Sequence, residues 1–456
     1  MAERGGEGST SGGLNGVKGY KEIQMRLQLD ILKIKDVQFG GGTRITDGVL
    51  YINRQELHEF LIEDKRLSRI DIELAHPGEK CRIIQASDVA EPRAKTKGGV
   101  DFPGALGMQG TVGQGNTCVL RGTAVVVSEY RREGDPPMQP GFPRHGRIID
   151  MSGPGAELSI YGKTHNIVLV PWPANEISVQ EYRIALKIAE LKTAVYLAKT
   201  GKDLKPDEIE VYELPAPSKI EKGLGHLPKV AYVFQFIPGQ FETIPGYPVL
   251  YGSNASSIVP TILHPNEILD GAMVTPYRTM AIDVFGLQNH SMIKELYQRH
   301  GKDLCFAGVI ITVGHGDERE NERAAIMSAN LAKWVLGADG VVLTKSGGGI
   351  PEVPLALTAQ RCEELGLRTS VAITHYPADF GDADGSILFN APEVDAIVSL
   401  GTPWHPITLP PVERVIGELA AFPEGPPVDG SIETTFRWIK GVFSQIGNSR
   451  LVAVQY

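Results

Sequence analysis

The feature that most limits the fold is an alternation of short apolar runs and helical segments along the C-terminal half of the chain. The run "CFAGVIIT" leads into "ERENERAAIMSANLAKWVL", "GVVLT" leads into "EVPLALTAQRCEELG", and "VDAIVSLG" leads into "LPPVERVIGELAAF". Continuous apolar strands between helices are typical of a parallel sheet covered on both faces. We therefore predict that residues 226–456 form a doubly wound, mostly parallel α/β domain.

The N-terminal half shows a different pattern. Residues 1–24 are rich in glycine and serine, and we predict that they form a disordered tail. Alternating runs such as "MRLQLDILKIKDVQF" then suit half-buried strands. Residues 178–200 have the spacing of an amphipathic helix, with Ser178 as its N-cap. We predict a β-rich domain over residues 25–225 that contains this one long helix, with the domain boundary near residue 225.

The overall composition excludes several classes of protein. The chain has 456 residues, of which 42% are hydrophobic and 22% charged, as in a globular protein of two or three domains. A net charge of -9 argues against a nucleic-acid partner. The four cysteines lack the spacing of a zinc or disulfide motif, and no apolar run is long enough to cross a membrane. We expect a cytoplasmic protein with reduced thiols and no membrane or nucleic-acid partner.

Polar residues follow the predicted strands of the C-terminal domain, at the edge where doubly wound sheets bind ligands. After "VVLT" comes a lysine followed by a serine and three glycines, whose backbone amides could approach an anion. We predict that Lys345, His315 and His375 are catalytic. The predicted substrate-binding residues are Ser346, Gly347, Gly348, Gly349, Thr374, Thr402 and His405.

Other interpretations of these residues stay open. Glycine-rich turns between a strand and a helix are common without a ligand, and the histidines could be ordinary loop residues. Three histidines at strand ends could bind a metal, but nothing in the sequence fixes their geometry, so we assign no metal. The chain has no P-loop, no complete dinucleotide turn, no HExxH and no GxSxG. ATP and NAD are therefore not expected.

Several stretches, in order along both halves, resemble the glycine, sarcosine and betaine reductase component B alpha/beta proprotein. They include "LKIKDVQFGGGTRITDGVLYINRQEL", "VPTILHPNEILDGAMV" and "ELYQRHGKDLCFAGVIIT". The resemblance runs from about residue 25 to the C-terminus. It implies a proprotein that cleaves itself before an internal cysteine, which becomes a pyruvoyl group. It also implies that this carbonyl captures the substrate amine while a cysteine or selenocysteine of a second subunit attacks, so that the C–N bond is cut reductively.

The chain departs from the family pattern at the processing site. The resemblance implies a cysteine after "DGA(I/M)V", where this chain has residues 275–292 without any cysteine. The nearest one, Cys305, begins a predicted buried strand, where a structural role is expected. The segment offers only Thr275, Thr279 and Ser291 as alternatives, and none reproduces the cysteine. We predict that the chain stays whole and carries no pyruvoyl group or other cofactor.

Two hypotheses about function follow from the resemblance and the departure. The first is an enzyme subunit that acts on a small amine- or carboxylate-bearing substrate, in a hetero-oligomer with a homologous partner that bears Cys or selenocysteine. In this case Lys345 either binds an anion or, if desolvated, forms a Schiff base. The second is a non-catalytic scaffold for such a partner, and a diverged hydrolase or lyase is a further alternative. We favour the enzyme because polar groups crowd the ligand-binding edge.

Overall fold

The computed structural model describes eight stretches of the chain. They are residues 25–130, 146–215, 224–237, 244–276, 282–347, 351–374, 391–418 and 427–449. The tail predicted at residues 1–24 lies outside them. Three residues of the predicted site also lie outside the described stretches, namely Gly348, Gly349 and His375.

Strands dominate the described N-terminal half, as its alternating pattern predicts. In chain order they are Met25–Lys33 (β1), Asp36–Phe39 (β2), Arg44–Thr46 (β3), Val49–Ile52 (β4), Leu67–Ala75 (β5), Cys81–Ile83 (β6), Ala86–Ala90 (β7), Arg93–Lys97 (β8), Gly115–Arg121 (β9), Thr123–Ser128 (β10), Ile149–Asp150 (β11), His165–Pro173 (β12) and Glu208–Leu214 (β13). The α-helices described here are Arg54–Leu61 (α1), Gly153–Leu158 (α2) and Val179–Lys199 (α3).

Two four-stranded sheets form most of this half. Their strand orders are β13-β1-β9-β8 and β5-β12-β10-β7, and smaller sheets have the orders β2-β4-β3 and β11-β6-β21, where β21 comes from the C-terminal half at Arg414–Ile416. Helix α3 packs against β8 and β9 of the first sheet and against β7, β10 and β12 of the second. The helix therefore contributes to a core shared by both sheets.

Helix α3 is the long helix predicted at residues 178–200. Ser178 caps it by accepting a hydrogen bond from the Glu181 amide, and the Glu181 side chain bonds back to the Ser178 amide. The expectation of a single apolar face is wrong, because Arg183, Lys187 and Glu190 are buried along with the apolar residues of the helix. Contact with two sheets leaves little of the helix surface in water.

The described C-terminal half alternates strands and helices. Its strands are Lys229–Phe236 (β14), Thr261–Leu263 (β15), Cys305–Val313 (β16), Gly340–Lys345 (β17), Arg368–Ile373 (β18), Ala396–Ser399 (β19), Pro406–Leu409 (β20), Arg414–Ile416 (β21) and Ile432–Thr435 (β22). The α-helices described here are Pro265–Leu269 (α4), Val284–Gln288 (α5), Ser291–Arg299 (α6), Glu318–Asn330 (α7) and Glu352–Glu364 (α8).

A six-stranded sheet organises this half, with the order β15-β16-β14-β17-β18-β19. Strands β16, β14, β17, β18 and β19 run parallel to one another, and only the edge strand β15 is antiparallel within this sheet. Side chains of alternate strand residues point to opposite faces. Val233 packs with α7 and α8 on one face, whereas Phe234 packs with α6 and with Leu29 of β1 on the other. The predicted doubly wound, mostly parallel arrangement is confirmed.

The helix predicted from residue 409 onward is wrong over its described part. Residues 414–416 instead form β21, which pairs in parallel with β6 of the N-terminal half. The Arg414 guanidinium also binds Glu73 and Glu79, so a distant partner determines the conformation of this segment. A second crossing contact joins Ile148 to Ile439. The domain boundary near residue 225 stays a prediction.

All four cysteines are buried, and Cys305 begins β16 as expected. Among the helices of the described stretches, none is both long and apolar enough to cross a membrane.

Candidate functional site

The first candidate site lies at the carboxyl ends of β14 and β17. The chain runs from β14 to β16, which is its neighbour on one side, and later to β17, which is its neighbour on the other side. The strand order therefore reverses at β14, and ligands of doubly wound sheets bind at such a switch point. Ser346 joins the two strand ends. Its amide donates to Gln235 O at 2.8 Å, and its Oγ accepts from the Ile237 amide at 3.0 Å.

Lys345 is the last residue of β17 rather than a residue that follows the strand, and its side chain is buried. Its Nζ donates to Gly347 O at 2.6 Å and lies 3.3 Å from Glu352 Oε1 in the first turn of α8. Burial lowers the pKa of Lys345, although the Glu352 carboxylate opposes the shift. A lowered pKa favours the neutral, nucleophilic amine. Neither the catalytic role nor the Schiff-base role of Lys345 is tested by this geometry, so both stay predictions.

The first glycine of the glycine-rich loop is held by Gln445. Gly347 N donates to Gln445 Oε1 and Gln445 Nε2 donates to Gly347 O, both at 2.6 Å. The φ of Gly347 is +84°, in the left-handed region that favours glycine. The one amide of this loop that the structure describes is therefore already used within the protein. The predicted approach of an anion to Gly348 and Gly349 falls outside the described residues.

The other predicted site residues are spread along the sheet edge and beyond it. His315 follows β16, where its amide bonds to Asn321 and burial lowers its imidazole pKa. Thr374 is buried after β18. Thr402 accepts a hydrogen bond from the Trp404 amide, and the His405 ring packs on Phe436. In the described residues, Lys345 and Ser346 are neighbours in the chain, and neither side chain forms a hydrogen bond or ion pair with His315, Thr402 or His405.

A second candidate site, which the sequence pattern did not predict, lies between α3 and β7. We call it the ionic cavity, a narrow cavity with about 10 Å³ of open space, room for about one water molecule, whose polar lining includes Ser87, Asp88, Arg183, Lys187, Glu190 and Tyr247. Lys187 Nζ contacts Asp88 and donates to Glu190 Oε2 at 2.9 Å. Thr275 closes the cluster, because its Oγ1 lies 3.2 Å from Lys187 Nζ and donates to Asp88 Oδ2 at 2.5 Å.

The charges of this cavity follow from burial and pairing. Burial alone would lower the pKa of Lys187, but Asp88 and Glu190 raise it above its ordinary value. Burial would raise the pKa of Asp88, but Lys187 and Lys440 hold it below its ordinary value. Burial, helped by the Asp88 charge, raises the pKa of Glu190 to about 8. At neutral pH the cavity therefore holds an ammonium, a carboxylate and a mostly protonated acid.

One oxygen of this cavity lacks a partner. Glu190 Oε1 is buried and accepts no hydrogen bond from any residue of the described chain. A buried polar atom without a partner costs about 1 to 3 kcal/mol, so a ligand that supplied a hydrogen-bond partner here would recover that free energy. A hint of the cavity was present in the sequence, since Arg183, Lys187 and Glu190 interrupt the apolar positions of α3 at spacings of four and three residues.

The ionic cavity adjoins the segment where the family resemblance implies processing. Thr275 is the first residue of the segment 275–292, and Asp88 and Lys187 hold its hydroxyl. Ser291 begins α6 and contacts Asn448, whereas Thr279 lies outside the described residues. Among the described hydroxyls of residues 275–292, only that of Thr275 therefore forms hydrogen bonds with both a carboxylate and an ammonium.

Comparison with known proteins covers nearly the whole chain. Residues 25–447 match the family model of glycine/sarcosine/betaine reductase component B subunits. The chain is 35% identical to the glycine reductase complex component B subunits alpha and beta of Acetoanaerobium sticklandii, over 95% of this chain and 100% of that relative. It is 36% identical to the sarcosine reductase complex component B subunit alpha of Peptoclostridium acidaminophilum, over 87% of this chain and 90% of that relative.

A third relative is named for a betaine reductase complex. The betaine reductase complex component B subunit alpha of Peptoclostridium acidaminophilum is 32% identical, over 87% of this chain and 89% of that relative. No solved structure matches the chain. Since the family model and the relatives extend across both halves, the chain belongs to the family of glycine/sarcosine/betaine reductase component B subunits.

Proposed function

We propose that the chain is the substrate-binding subunit of a component B-like reductase and that it binds a small molecule bearing an amine and a carboxylate. The glycine, sarcosine and betaine named by its relatives each combine a carboxylate with a nitrogen centre. The observation that carries the proposal is the ionic cavity, where a buried ammonium, a carboxylate and a carboxyl oxygen without a partner lie together. The reaction class is C–N bond cleavage, as for the family.

The polar groups of the cavity suit both ends of such a molecule in charge. Because the open space of about 10 Å³ admits about one water molecule, binding requires the lining side chains to move apart. Lys187 and Arg183 provide positive charge for the carboxylate, and hydrogen bonds between charged groups are the stronger kind. Asp88 provides an acceptor for the amine, and Glu190 provides a second one when it releases the proton that its raised pKa retains. The cavity already pairs an ammonium with a carboxylate. A zwitterion could insert between them, with its carboxylate on Lys187 and its amine on Asp88, and leave no unpaired charge in the interior.

The second candidate for the substrate site is the strand-end set predicted from the sequence. Lys345 favours it, because burial lowers the pKa of this lysine at the switch point of the sheet. His315 and His375 remain its proposed acid-base partners. Binding measurements on variants of Lys187 and of Lys345 distinguish the two candidate sites.

We also propose that the chain is neither cleaved nor given a pyruvoyl group. Residues 275–292 contain no cysteine, and Cys305 is buried at the start of β16. The thiol or selenol for reductive cleavage would then come from a partner subunit, in a cytoplasmic complex. A non-catalytic scaffold remains the alternative if no substrate binds.

Titration calorimetry with glycine, sarcosine and betaine tests the proposed substrate site. We expect Lys187→Met to weaken binding of the preferred compound by roughly tenfold or more, because the buried ammonium is lost. Lys199→Met is the matched control, since Lys199 lies on the same helix with a side chain 60% exposed. Acetate and methylamine, which carry one group each, should bind more weakly than the whole compound.

Three results contradict parts of the proposal. Equal binding by wild type and Lys187→Met rules out the ionic cavity. Loss of binding only in Lys345→Met/Glu352→Gln moves the site to the strand ends. Absence of binding by the wild type, with or without its native partner, favours the scaffold.

A further inference from the structure

A cluster of three potential metal ligands lies in the N-terminal half, and it shares no residue with either candidate substrate site. Asp36 begins β2, His76 follows β5 and His165 begins β12. The two histidine Nδ1 atoms are 3.0 Å apart. Asp36 Oδ1 lies 3.6 Å from His76 Nδ1 and 3.8 Å from His165 Nδ1. Three donor atoms from three separate segments therefore converge on one point.

The triangle of donors has the size of a zinc site. Zn²⁺ binds imidazole nitrogen and carboxylate oxygen at about 2.0 to 2.2 Å, so two ligands of a tetrahedral ion lie about 3.3 to 3.6 Å apart. The measured separations of 3.0, 3.6 and 3.8 Å lie on both sides of that range. Shifts of a few tenths of an ångström would complete the geometry.

A hydrogen bond between the two imidazoles explains only part of this arrangement. It accounts for the 3.0 Å between the Nδ1 atoms of His76 and His165. It does not account for Asp36 Oδ1, which faces both rings from beyond hydrogen-bond distance. A shared cation uses all three groups.

The ligands are held by the surrounding structure. Asp36 Oδ2 accepts a hydrogen bond from Gln38 at 2.7 Å, and its Oδ1 accepts one from the Val37 amide at 2.8 Å. The His165 amide donates to Gly122 O at 2.9 Å, and the His76 amide donates to Glu79 at 3.0 Å. The first two bonds orient the Asp36 carboxylate, and the other two fix the backbone from which the imidazoles project.

We propose that Asp36, His76 and His165 bind a divalent transition-metal ion, with Zn²⁺ as the ion that this ligand set suits, and with water at the fourth position. Two imidazoles select a transition metal over Mg²⁺ or Ca²⁺. The three side chains are between 18% and 38% exposed, which leaves the fourth position open to solvent. The ion links the small sheet β2-β4-β3 to the edge of the sheet that contains β5 and β12.

Zinc titration of untagged, chelator-treated full-length chain tests the site. We expect one Zn²⁺ per chain and a rise in melting temperature on zinc addition, because an ion that binds only the folded state stabilises it. His76→Ala and His165→Ala should each weaken this binding roughly 100-fold or more. Asp36→Asn, which keeps the shape of the side chain, should weaken it less. Replacement by Co²⁺ should give an absorption band that changes in Asp36→Asn.

His58→Ala is the matched control, since His58 is a half-buried histidine on α1 in the same half. It should bind zinc as the wild type does. The melting temperatures of all variants in chelator should match that of the wild type, which separates loss of a ligand from loss of the fold. The proposal is overturned if the wild type binds no stoichiometric zinc, or if the triad variants bind it as tightly as His58→Ala.

Discussion

Glu190 is the side chain whose protonation the fold alters most clearly in the ionic cavity. Its neighbours are Lys187, which donates to one of its oxygens, and the negative charge of Asp88. The sequence pattern predicts that Glu190 lies on a helix, but not that it belongs to a buried ionic cluster. Asp88 and Thr275 join this cluster through Lys187, from positions about 100 and about 85 residues away along the chain. Single residues of the site therefore depend on tertiary contacts that spacing does not encode.

We predict that Glu190→Gln changes the pH dependence of stability. Burial raises the pKa of Glu190 from its ordinary value of 4.5 to about 8. Between these values the folded chain keeps a proton that the unfolded chain has released, so the free energy of unfolding falls as pH rises through this window. The glutamine variant lacks this effect, and its melting temperature should rise relative to wild type from about pH 5 to about pH 8.

Thermal unfolding across that pH range measures the difference. Groups outside the ionic cavity act equally on both proteins. The lowered pKa of Asp88 and the raised pKa of Lys187 keep both charged across this pH range, so the difference reports on Glu190. Parallel curves for wild type and variant would show that Glu190 titrates normally.

At the scale of elements, the ion pair between Lys345 at the end of β17 and Glu352 in the first turn of α8 determines which variants can test Lys345. The sequence predicted the strand and the helix correctly, whereas Gly348 and Gly349 between them lie outside the described residues. It did not predict that Glu352 would neutralise Lys345 inside the protein. In the same way, β21 looks helical along the sequence and becomes a strand only because β6 pairs with it. Local sequence patterns thus predict a strand or helix well, unless pairing with a distant segment determines its conformation.

Lys345→Ala should therefore destabilise the fold. Removing one member of a buried ion pair leaves the other charge unpaired and costs about 3 to 5 kcal/mol. The double variant Lys345→Met/Glu352→Gln removes both charges and should recover most of the loss. Urea denaturation of the two single variants and the double variant measures this coupling. Additive effects in the double variant would mean that the two side chains do not interact.

At the scale of the whole molecule, the doubly wound sheet follows from the alternation of apolar runs and helices, and family membership follows from motifs in both halves. The sequence could not reveal how the halves meet. Apolar residues of β1, β13, β14 and β16 lie in one hydrophobic cluster, so the second face of the parallel sheet is covered partly by the N-terminal β-sheet. Such packing depends on which apolar sheet faces each half leaves uncovered. The periodicity of the sequence shows that a strand has an apolar face but not what covers it.

We predict that the purified chain is a single species of 49.4 kDa that does not react with hydrazide. The reason is the absence of cysteine from residues 275–292. Denaturing electrophoresis with intact mass measurement checks the length, and hydrazide labelling checks for a carbonyl group. A family member that yields two fragments under the same conditions serves as the positive control. Two fragments, one of them reactive with hydrazide, would contradict the prediction.

The shared cluster also determines what a cut in the backbone would do. Leu29 of β1 and Phe234 of β14 are both fully buried in it, although they belong to opposite halves of the chain. A protease that severed the connection between β13 and β14 would leave two polypeptides with interlocking apolar surfaces, and neither could expose its share of the cluster to water without losing that burial. The nicked protein should therefore migrate as one particle in native conditions, and each half expressed alone should be insoluble unless the other is made beside it.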